Sequence, residues 1–192
     1  MVKQKKVLTV NQCNKFIKNA NTIQEKLMIR MMLKCGLRVS ELINCQISWI
    51  NFEDQLLYIQ ENKKPYEWVP KRDSIREVPI SEELLIELKQ FIVNRKKGYL
   101  FRSRKKTNYR RYNKDSIIRK INKIAKEVLG KNTGTHIFRR TYASHLLNEG
   151  NDLETIRKLL GHADLKTTFL YLKNIPDRNN YDKIRNMRIM RL

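Results

Sequence analysis

The sequence contains few cysteines and no long apolar run, and both features narrow the range of functions. Its three cysteines (Cys13, Cys35 and Cys45) are odd in number and form no Cys-x-x-Cys pair. A disulfide framework and a zinc site are therefore not expected, and a reducing cytoplasm is the predicted location. No apolar stretch approaches the roughly 18 residues of a membrane span. The N-terminal Met-Val-Lys-Gln-Lys-Lys leads straight into an amphipathic segment, so we expect neither a signal peptide nor membrane association.

Acidic residues are also scarce. Asp and Glu number 19 against 41 Lys and Arg in 192 residues, which gives a formal net charge of +22. The excess is spread along the chain and 41% of the residues are apolar, so one folded domain with a basic face is predicted. Nucleic acid is the polyanion that such a face favours. The alternative is a coding bias towards Lys and Asn that has no bearing on function.

The spacing of apolar residues predicts an α+β fold that is mainly helical, with one small antiparallel three-stranded sheet. A capping box formed by Thr9 and Gln12 opens the first helix. The second helix is predicted from about Ile23 to Cys35, and Gly36 then breaks the pattern. Strands are predicted within residues 49–60 and 70–80, where the periodicity changes. Later helices are predicted to begin near residues 40, 81, 114, 136 and 152.

Between residues 135 and 172 the sequence gathers side chains that are suited to phosphate chemistry. His136 and Arg139 are three residues apart and so share one face of a helix. His162 follows a glycine that can end a helix, and Tyr171 lies near the end of the next predicted helix. Arg offers a planar fork for phosphate oxygens, His moves protons near neutral pH, and Tyr can act as a covalent nucleophile. Each residue taken singly is more often structural, so only their combination is informative.

These motifs, together with Gly-Leu-Arg-Val-Ser-Glu-Leu at residues 36–42, resemble those of the tyrosine recombinase (phage integrase) family. The order His-x-x-Arg, Leu-Gly-His and then a Tyr nine residues later matches, and the resemblance runs from about Lys6 to about residue 175. It implies the DNA breaking-rejoining fold and a site-specific recombinase or integrase that works through a 3′-phosphotyrosyl intermediate. It also implies that no metal ion, ATP or other cofactor is used. The catalytic residues that the resemblance implies are Arg38, Lys71, His136, Arg139, His162 and Tyr171.

The resemblance also implies a role for each residue. Tyr171 would attack the scissile phosphate, while Arg38 and Arg139 would hold the non-bridging oxygens and stabilise the charge that builds there. His136 would assist proton transfer at Tyr171. His162 would donate a hydrogen bond to the phosphate and help to position it.

Lys71 is the position that matches the catalytic lysine of the family, on a hairpin just before the Arg-x-Val-Pro strand. It would act as the general acid that protonates the leaving oxygen. However, residues 61–69 make the gap between Arg38 and Lys71 longer than in compact members. Lys63 and Lys64 are therefore rivals for this role.

Two basic segments are predicted to contact DNA. Residues 95–112 interleave basic and aromatic side chains, which favours a loop that tracks a phosphate backbone, with a solvated charge run as the alternative. The helix predicted for residues 114–130 has a basic outer face and either lies in a major groove or caps the core. The predicted DNA-binding residues are Arg102, Arg104, Lys105, Lys106, Arg110, Arg111, Lys120 and Lys123.

Residues 1–192 are interpreted as a single catalytic domain in which residues 173–192 form a C-terminal tail helix, packed in cis or exchanged with a neighbour. The motifs begin by Leu8, so we expect no N-terminal core-binding domain, and the chain is either a naturally short recombinase or an excised domain. The expected partner is double-stranded DNA. On synapsed sites we expect a homo-tetramer and off DNA a monomer or weak dimer, in a cytoplasmic, nucleoid-associated location. The alternatives are a type IB topoisomerase-like nicking-closing enzyme and a catalytically silent DNA-binding regulator.

Overall fold

The computed structural model describes residues 7–60, 75–105, 108–165 and 168. These residues form seven α-helices, one 3₁₀ helix and five β-strands. The helices are α1 (Val10–Lys18), α2 (Ile23–Lys34), α3 (Val39–Asn44), α4 (Glu82–Ile92), α5 (Lys114–Leu129), α6 (His136–Asn148) and α7 (Leu153–Leu160), with the 3₁₀ helix at Ile47–Trp49. The strands are β1 (Ile50–Asn51), β2 (Leu56–Gln60), β3 (Ile75–Pro79), β4 (Arg102–Lys105) and β5 (Asn108–Arg111).

Helix α2 lies at the centre of the domain. It packs against α1, α3, α4 and α6, and it is lined by apolar side chains that are almost fully buried: Leu27, Met28, Ile29, Met31 and Met32. The rings of Phe16 in α1 and Phe138 in α6 meet edge to face, with centroids 5.1 Å apart. This core fixes α6, which carries two of the candidate catalytic residues.

Polar side chains define where several helices begin. The capping box predicted at Thr9 and Gln12 is confirmed, because each side chain accepts a hydrogen bond from the backbone N–H of the other residue. Asp152 caps α7 by accepting from the backbone N–H of Thr155 at 2.9 Å. Helix α7 ends at Gly161, which adopts the left-handed conformation with φ of 59°. These caps set the position of the turn that carries His162.

The three-stranded antiparallel sheet predicted from the sequence is confirmed. Its strand order is β1-β2-β3, and β2 pairs with β3 so that Leu57 faces Val78 and Ile59 faces Arg76. Along β3 buried and exposed residues alternate, as expected for a strand with one face on the core. Arg76 and Val78 are the inward residues of this strand, so the alternation directs a guanidinium group into the protein interior.

The prediction of a loop over residues 95–112 is wrong for the second half of this segment, which forms a β-hairpin. Strands β4 and β5 pair antiparallel, with Arg102 opposite Arg111 and Lys105 opposite Asn108. Gln24 of α2 anchors the hairpin, since its side-chain carbonyl accepts from the backbone N–H of Arg102 at 3.0 Å. Its amide group donates to the Arg102 carbonyl and to the Tyr112 hydroxyl. The predicted α+β class holds, with this two-stranded sheet added to it.

A hydrophobic anchor precedes the hairpin. Leu100 and Phe101 are fully buried, and the backbone N–H of Leu100 donates to the Cys45 carbonyl at 2.8 Å. None of the helices in the described ranges is long and apolar enough to cross a bilayer.

Candidate active site

Four of the six predicted catalytic residues lie in the described parts of the chain. Arg38 is the residue that precedes α3, His136 is the first residue of α6, and Arg139 follows one turn later. His162 comes directly after Gly161 at the end of α7. Lys71 and its rivals Lys63 and Lys64 fall within residues 61–74, and Tyr171 within residues 169–192, so all four lie outside the described residues.

Gly36 allows α6 to approach the turn before Arg38. Its φ is +63°, a left-handed conformation that side chains disfavour, and a Cβ added there would lie 2.3 Å from the ring of Tyr142. The carbonyl of Gly36 accepts a hydrogen bond of 2.6 Å from Arg139 Nη1. Gly36 therefore permits the close approach of α6 to the turn that leads to Arg38, and its carbonyl binds Arg139.

A buried carboxylate, that of Glu41, joins three guanidinium groups. Arg38 donates to it from its backbone N–H at 2.6 Å and from Nη1 at 2.7 Å. Arg76 donates from both terminal nitrogens, each at 2.8 Å, and Arg139 Nη1 lies 3.8 Å from Oε2. Burial disfavours ionisation of Glu41, but the hydrogen bonds and charge of Arg76 together with the charge of Arg139 outweigh it, lowering the pKa to about 2. Glu41 is therefore ionised throughout the neutral range.

The C-terminal end of α7 is held by a second set of arginine contacts. The last carbonyls of a helix lack intrahelical donors, and cations near this end are favoured by the helix dipole. Here four consecutive carbonyl oxygens each accept from a different guanidinium group. The pairs are Leu159 with Arg76 Nε (3.0 Å), Leu160 with Arg139 Nη2, Gly161 with Arg38 Nη2 (3.2 Å) and His162 with Arg157 Nη1 (2.8 Å).

His162 is buried beside these cations. The residue is only 5% exposed, and its Nδ1 lies 3.0 Å from the Thr168 hydroxyl. Burial, followed by the charges of Arg139, Arg38 and Arg76, lowers its pKa to about 4, with Glu41 acting in the opposite direction. The ring is therefore neutral at pH 7 and can donate a single hydrogen bond from whichever nitrogen carries its proton.

His136 occupies the edge of the site, where it borders a groove. His136 is exposed, but desolvation by the surrounding protein and then the positive charges of Arg139 and Arg140 lower its pKa. The groove measures about 890 Å³, and its walls combine apolar side chains with basic and polar ones. Its lining includes Val7, Leu8, Val128, Lys131, His136 and Arg140. A neutral imidazole at this edge is suited to accepting a proton.

The predicted DNA-binding residues are found in different settings. Backbone positions place Arg104, Lys105 and Arg110 in the hairpin together with Arg102 and Arg111, while Lys106 lies outside the described residues. Arg111 is exposed and its Nη1 donates to Asn44 Oδ1 at 2.5 Å. On α5, Lys123 is exposed, whereas the Nζ of Lys120 forms an ion pair with the buried carboxylate of Glu25.

Sequence reasoning missed Glu41 and Arg76 as residues of this site. Glu41 lies in the Gly-Leu-Arg-Val-Ser-Glu-Leu motif, three residues after Arg38, but no role was predicted for it. The available signal for Arg76 was its position in β3, because it shares a strand face with Val78 and a charged residue on an apolar face requires a buried partner. The identity of that partner, 35 positions earlier in the chain, is a tertiary feature.

Known proteins match most of this chain. A sequence model of the phage integrase family matches residues 6–178. The tyrosine recombinase XerA of Pyrococcus horikoshii is 33% identical over 170 residues, which are 88% of this chain and 56% of that protein. The chain thus spans little more than half the length of this curated relative.

Solved structures share the fold. The crystal structure of XerA recombinase superposes with a TM-score of 0.77 at 24% identity, covering 95% of this chain and 65% of that one. The integrase of transposon Tn1549, solved in complex with transposon right end DNA, gives a TM-score of 0.70 at 21% identity, covering 95% and 66%. At these identities the agreement concerns the fold, and it confirms the predicted α+β architecture.

Proposed function

Because the chain belongs to the phage integrase family, we propose that it carries the catalytic centre of a site-specific tyrosine recombinase. The observation that carries this proposal is the convergence of Arg38, Arg139 and His162 on the end of α7, beside the carboxylate of Glu41. Each of the three is a residue that the sequence motifs single out. Their proximity supports a site that binds the non-bridging oxygens of a phosphate.

The two arginines form a clamp for the scissile phosphate. In such a transfer negative charge accumulates on the non-bridging oxygens, and fixed cations that are already in place stabilise it without reorganising. Arg139 is 1% exposed and is held by the carbonyls of Gly36 and Leu160. Arg38 is held by Glu41 and Gly161. Both guanidinium groups are thus preorganised before DNA binds.

The two histidines would have different roles, one as a hydrogen-bond donor and the other as a proton acceptor. With a pKa of about 4, His162 is neutral at pH 7 and would donate a hydrogen bond to a phosphate oxygen without adding a full charge. His136 also has a lowered pKa, so its ring is unprotonated near neutral pH, as a group that accepts the proton of Tyr171 must be. A tyrosine requires this help because its ordinary pKa is near 10.

The proposed step exchanges one ester for another. The Tyr171 oxygen forms a bond to phosphorus, the bond from phosphorus to the 5′ oxygen breaks, and Lys71 supplies the proton that the 5′ oxygen takes up. The product is a 3′-phosphotyrosyl bond and a free 5′-hydroxyl. Reversal with a different 5′-hydroxyl joins a new strand, so the reaction requires no ATP. The roles of Lys71 and Tyr171 are inferred from the family motifs alone.

Charge and relatives both support DNA as the substrate. The net charge of +22 favours a polyanion, and the Tn1549 integrase was solved with DNA. The similar proteins are recombinases and integrases, which favours strand exchange over the topoisomerase-like and silent alternatives. We propose that the chain acts as a single catalytic domain in a tetramer on synapsed sites and as a monomer or weak dimer elsewhere. A cytoplasmic, nucleoid-associated location belongs to the same proposal.

Covalent trapping tests this function. The protein is incubated with nicked suicide duplexes whose sequence is randomised around the nick, and the products are separated on a denaturing gel beside Tyr171→Phe. We expect a protein–DNA band in the unaltered chain only. If duplex binds but no band forms in any pool, the proposal is contradicted. Strand exchange between two copies of a selected site, rather than relaxation of one supercoiled plasmid, would then separate a recombinase from a topoisomerase.

A further inference from the structure

Arg76 is a charged residue in the protein interior that the proposed mechanism does not use. It is 8% exposed, and each of its three nitrogens donates a hydrogen bond. Nε donates to the carbonyl of Leu159, and the two terminal nitrogens donate to the two oxygens of Glu41. All three nitrogens of Arg76 are thus engaged by groups of the protein, and no family motif assigns this residue to the phosphate.

The contact with Glu41 controls the charge of the clamp. Arg76 occupies both carboxylate oxygens, whereas Arg38 reaches Glu41 with one side-chain nitrogen and Arg139 Nη1 remains 3.8 Å away. Without Arg76, the carboxylate would be left to pair more closely with the two clamp arginines, and this would offset the positive charge that they present to a phosphate. Arg76 thus satisfies a buried anion that would otherwise compete with the substrate.

The contact with Leu159 controls the position of His162. The carbonyls of Leu160 and Gly161, the next two along the chain, accept from Arg139 and Arg38. These bonds depend on how the final turn of α7 is placed, and the Nε of Arg76 fixes the first carbonyl of the series at 3.0 Å. His162 follows directly. A shift of about 1 Å in such a site can slow a reaction on the order of 100-fold.

We propose that Arg76 is a positioning residue of this active site, which holds Glu41 and the end of α7 so that Arg38, Arg139 and His162 keep their geometry. The inference rests on the proposed function for its kinetic test, but its structural part does not depend on DNA. The alternative is that the ion pair between Arg76 and Glu41 only stabilises the fold. Its loss would then lower the free energy of unfolding, but the active site of the folded protein would keep its geometry.

The kinetic test compares two arginine-to-lysine variants. Arg76→Lys keeps the charge but loses the planar three-nitrogen fork. Arg30→Lys is the matched control, since Arg30 bridges Glu83 and Glu87 between α2 and α4, away from the site. In folded protein we expect Arg76→Lys to slow covalent complex formation about 10- to 100-fold, while the duplex Kd changes little. Arg30→Lys should change the rate less than about threefold.

A second readout follows the titration of His162 by NMR in DNA-free protein, using Arg76→Met and Arg30→Met. Removing the charge of Arg76 should raise the midpoint of His162, because that charge is among those that lower it. Removing the charge of Arg30 should leave the midpoint unchanged. An unchanged His162 titration in Arg76→Met overturns the proposal, and so does an unchanged cleavage rate in Arg76→Lys.

Two further outcomes have fixed meanings. If the Arg76 variants are unfolded by circular dichroism while both Arg30 variants are folded, Arg76 serves stability alone and the proposal is overturned. If the unaltered protein forms no covalent product, the proposed function fails instead. A crystal structure of Arg76→Met then decides the structural part, and unmoved contacts of Arg139 and Arg38 with the carbonyls of Leu160 and Gly161 would overturn it.

Discussion

The backbone N–H of Leu8 donates a 2.9 Å hydrogen bond to the hydroxyl of Thr141, which lies 133 positions further along the chain. That hydroxyl in turn donates to the carbonyl of Ile137 in the preceding turn of α6. Leu8 and Thr141 are 4% and 2% exposed. The start of the described chain is therefore fixed to the helix that carries His136 and Arg139.

Replacing Thr141 by Val tests this link. The substitution keeps the shape but leaves the buried N–H of Leu8 without its acceptor, which costs about 1–3 kcal/mol. We expect the free energy of unfolding in urea to fall by this amount. Thr133→Val, at a half-buried position on the neighbouring groove, should change it by less than about 0.5 kcal/mol. Equal losses in the two variants would show that the hydroxyl of Thr141 has no special role.

Gly36→Ala should destabilise the protein through a clash as well as through backbone strain. The added methyl group would lie 2.3 Å from the Tyr142 ring, at a φ of +63°. We expect a loss of about 2–4 kcal/mol in the free energy of unfolding. Gly130→Ala is the matched control, because Gly130 has a similar φ of +69° but open space around it. It should cost only about 1–2 kcal/mol, and identical costs would rule out the clash.

Glu41 should make stability depend on pH in acid. Its pKa is about 2 in the folded chain against an ordinary 4.5. The stabilisation is therefore present above pH 4.5 and is lost as the pH falls towards 2, about 3 kcal/mol in all. Urea unfolding across this range should show a steeper loss for the unaltered chain than for Glu41→Gln, since other carboxyl groups cancel in the comparison. Parallel curves would contradict the strong pairing of Glu41 with Arg76.

His162 should remain neutral at the pH of most cytoplasms. Its pKa is lowered to about 4 by burial and by the charges of Arg139, Arg38 and Arg76. NMR of the imidazole protons should give a midpoint near this value. The rate of covalent trapping should accordingly show no inflection due to His162 between about pH 5.5 and 8. A His162 midpoint above 7 would contradict this, because the ring would then be mostly protonated at neutral pH.

Two lysines on α5 should differ in their effect on DNA binding. Both side chains are exposed, but the charge of Lys120 is paired with the buried carboxylate of Glu25. Anisotropy titrations of a labelled duplex at several salt concentrations should show that Lys123→Gln weakens binding and reduces the salt slope by about 1. Lys120→Gln should alter the slope less. The reverse order would place DNA on the side of α5 that faces Glu25.

Much of the site followed from local patterns. The spacing of His136 and Arg139 predicted that both lie on one helix, which is confirmed. Gly161 was expected to end a helix before His162, and it does so in the left-handed conformation. These features depend on helix periodicity and on the conformational freedom of glycine, both of which are properties of short segments.

Features that depend on pairing across the chain were not predicted. The hydrogen bonds between Arg76 and Glu41 join β3 to α3, and the sequence of neither segment indicates that the two are partners. The hairpin of β4 and β5 was interpreted as a loop because its residues are mostly basic and show no apolar alternation. Its anchor, Gln24, lies 78 positions earlier than Arg102. The roles of Lys71 and Tyr171 remain predictions from the family motifs.

The four arginines that hold the end of α7 come from widely separated parts of the sequence, at positions 38, 76, 139 and 157. During synthesis a ribosome releases the first of them long before the carbonyls that it binds. A nascent chain that has not reached residue 162 therefore has no assembled phosphate clamp. If the proposed function holds, the capacity to break DNA would arise late, once residues 38 to 162 have emerged and folded, and translation products that stop earlier would lack it.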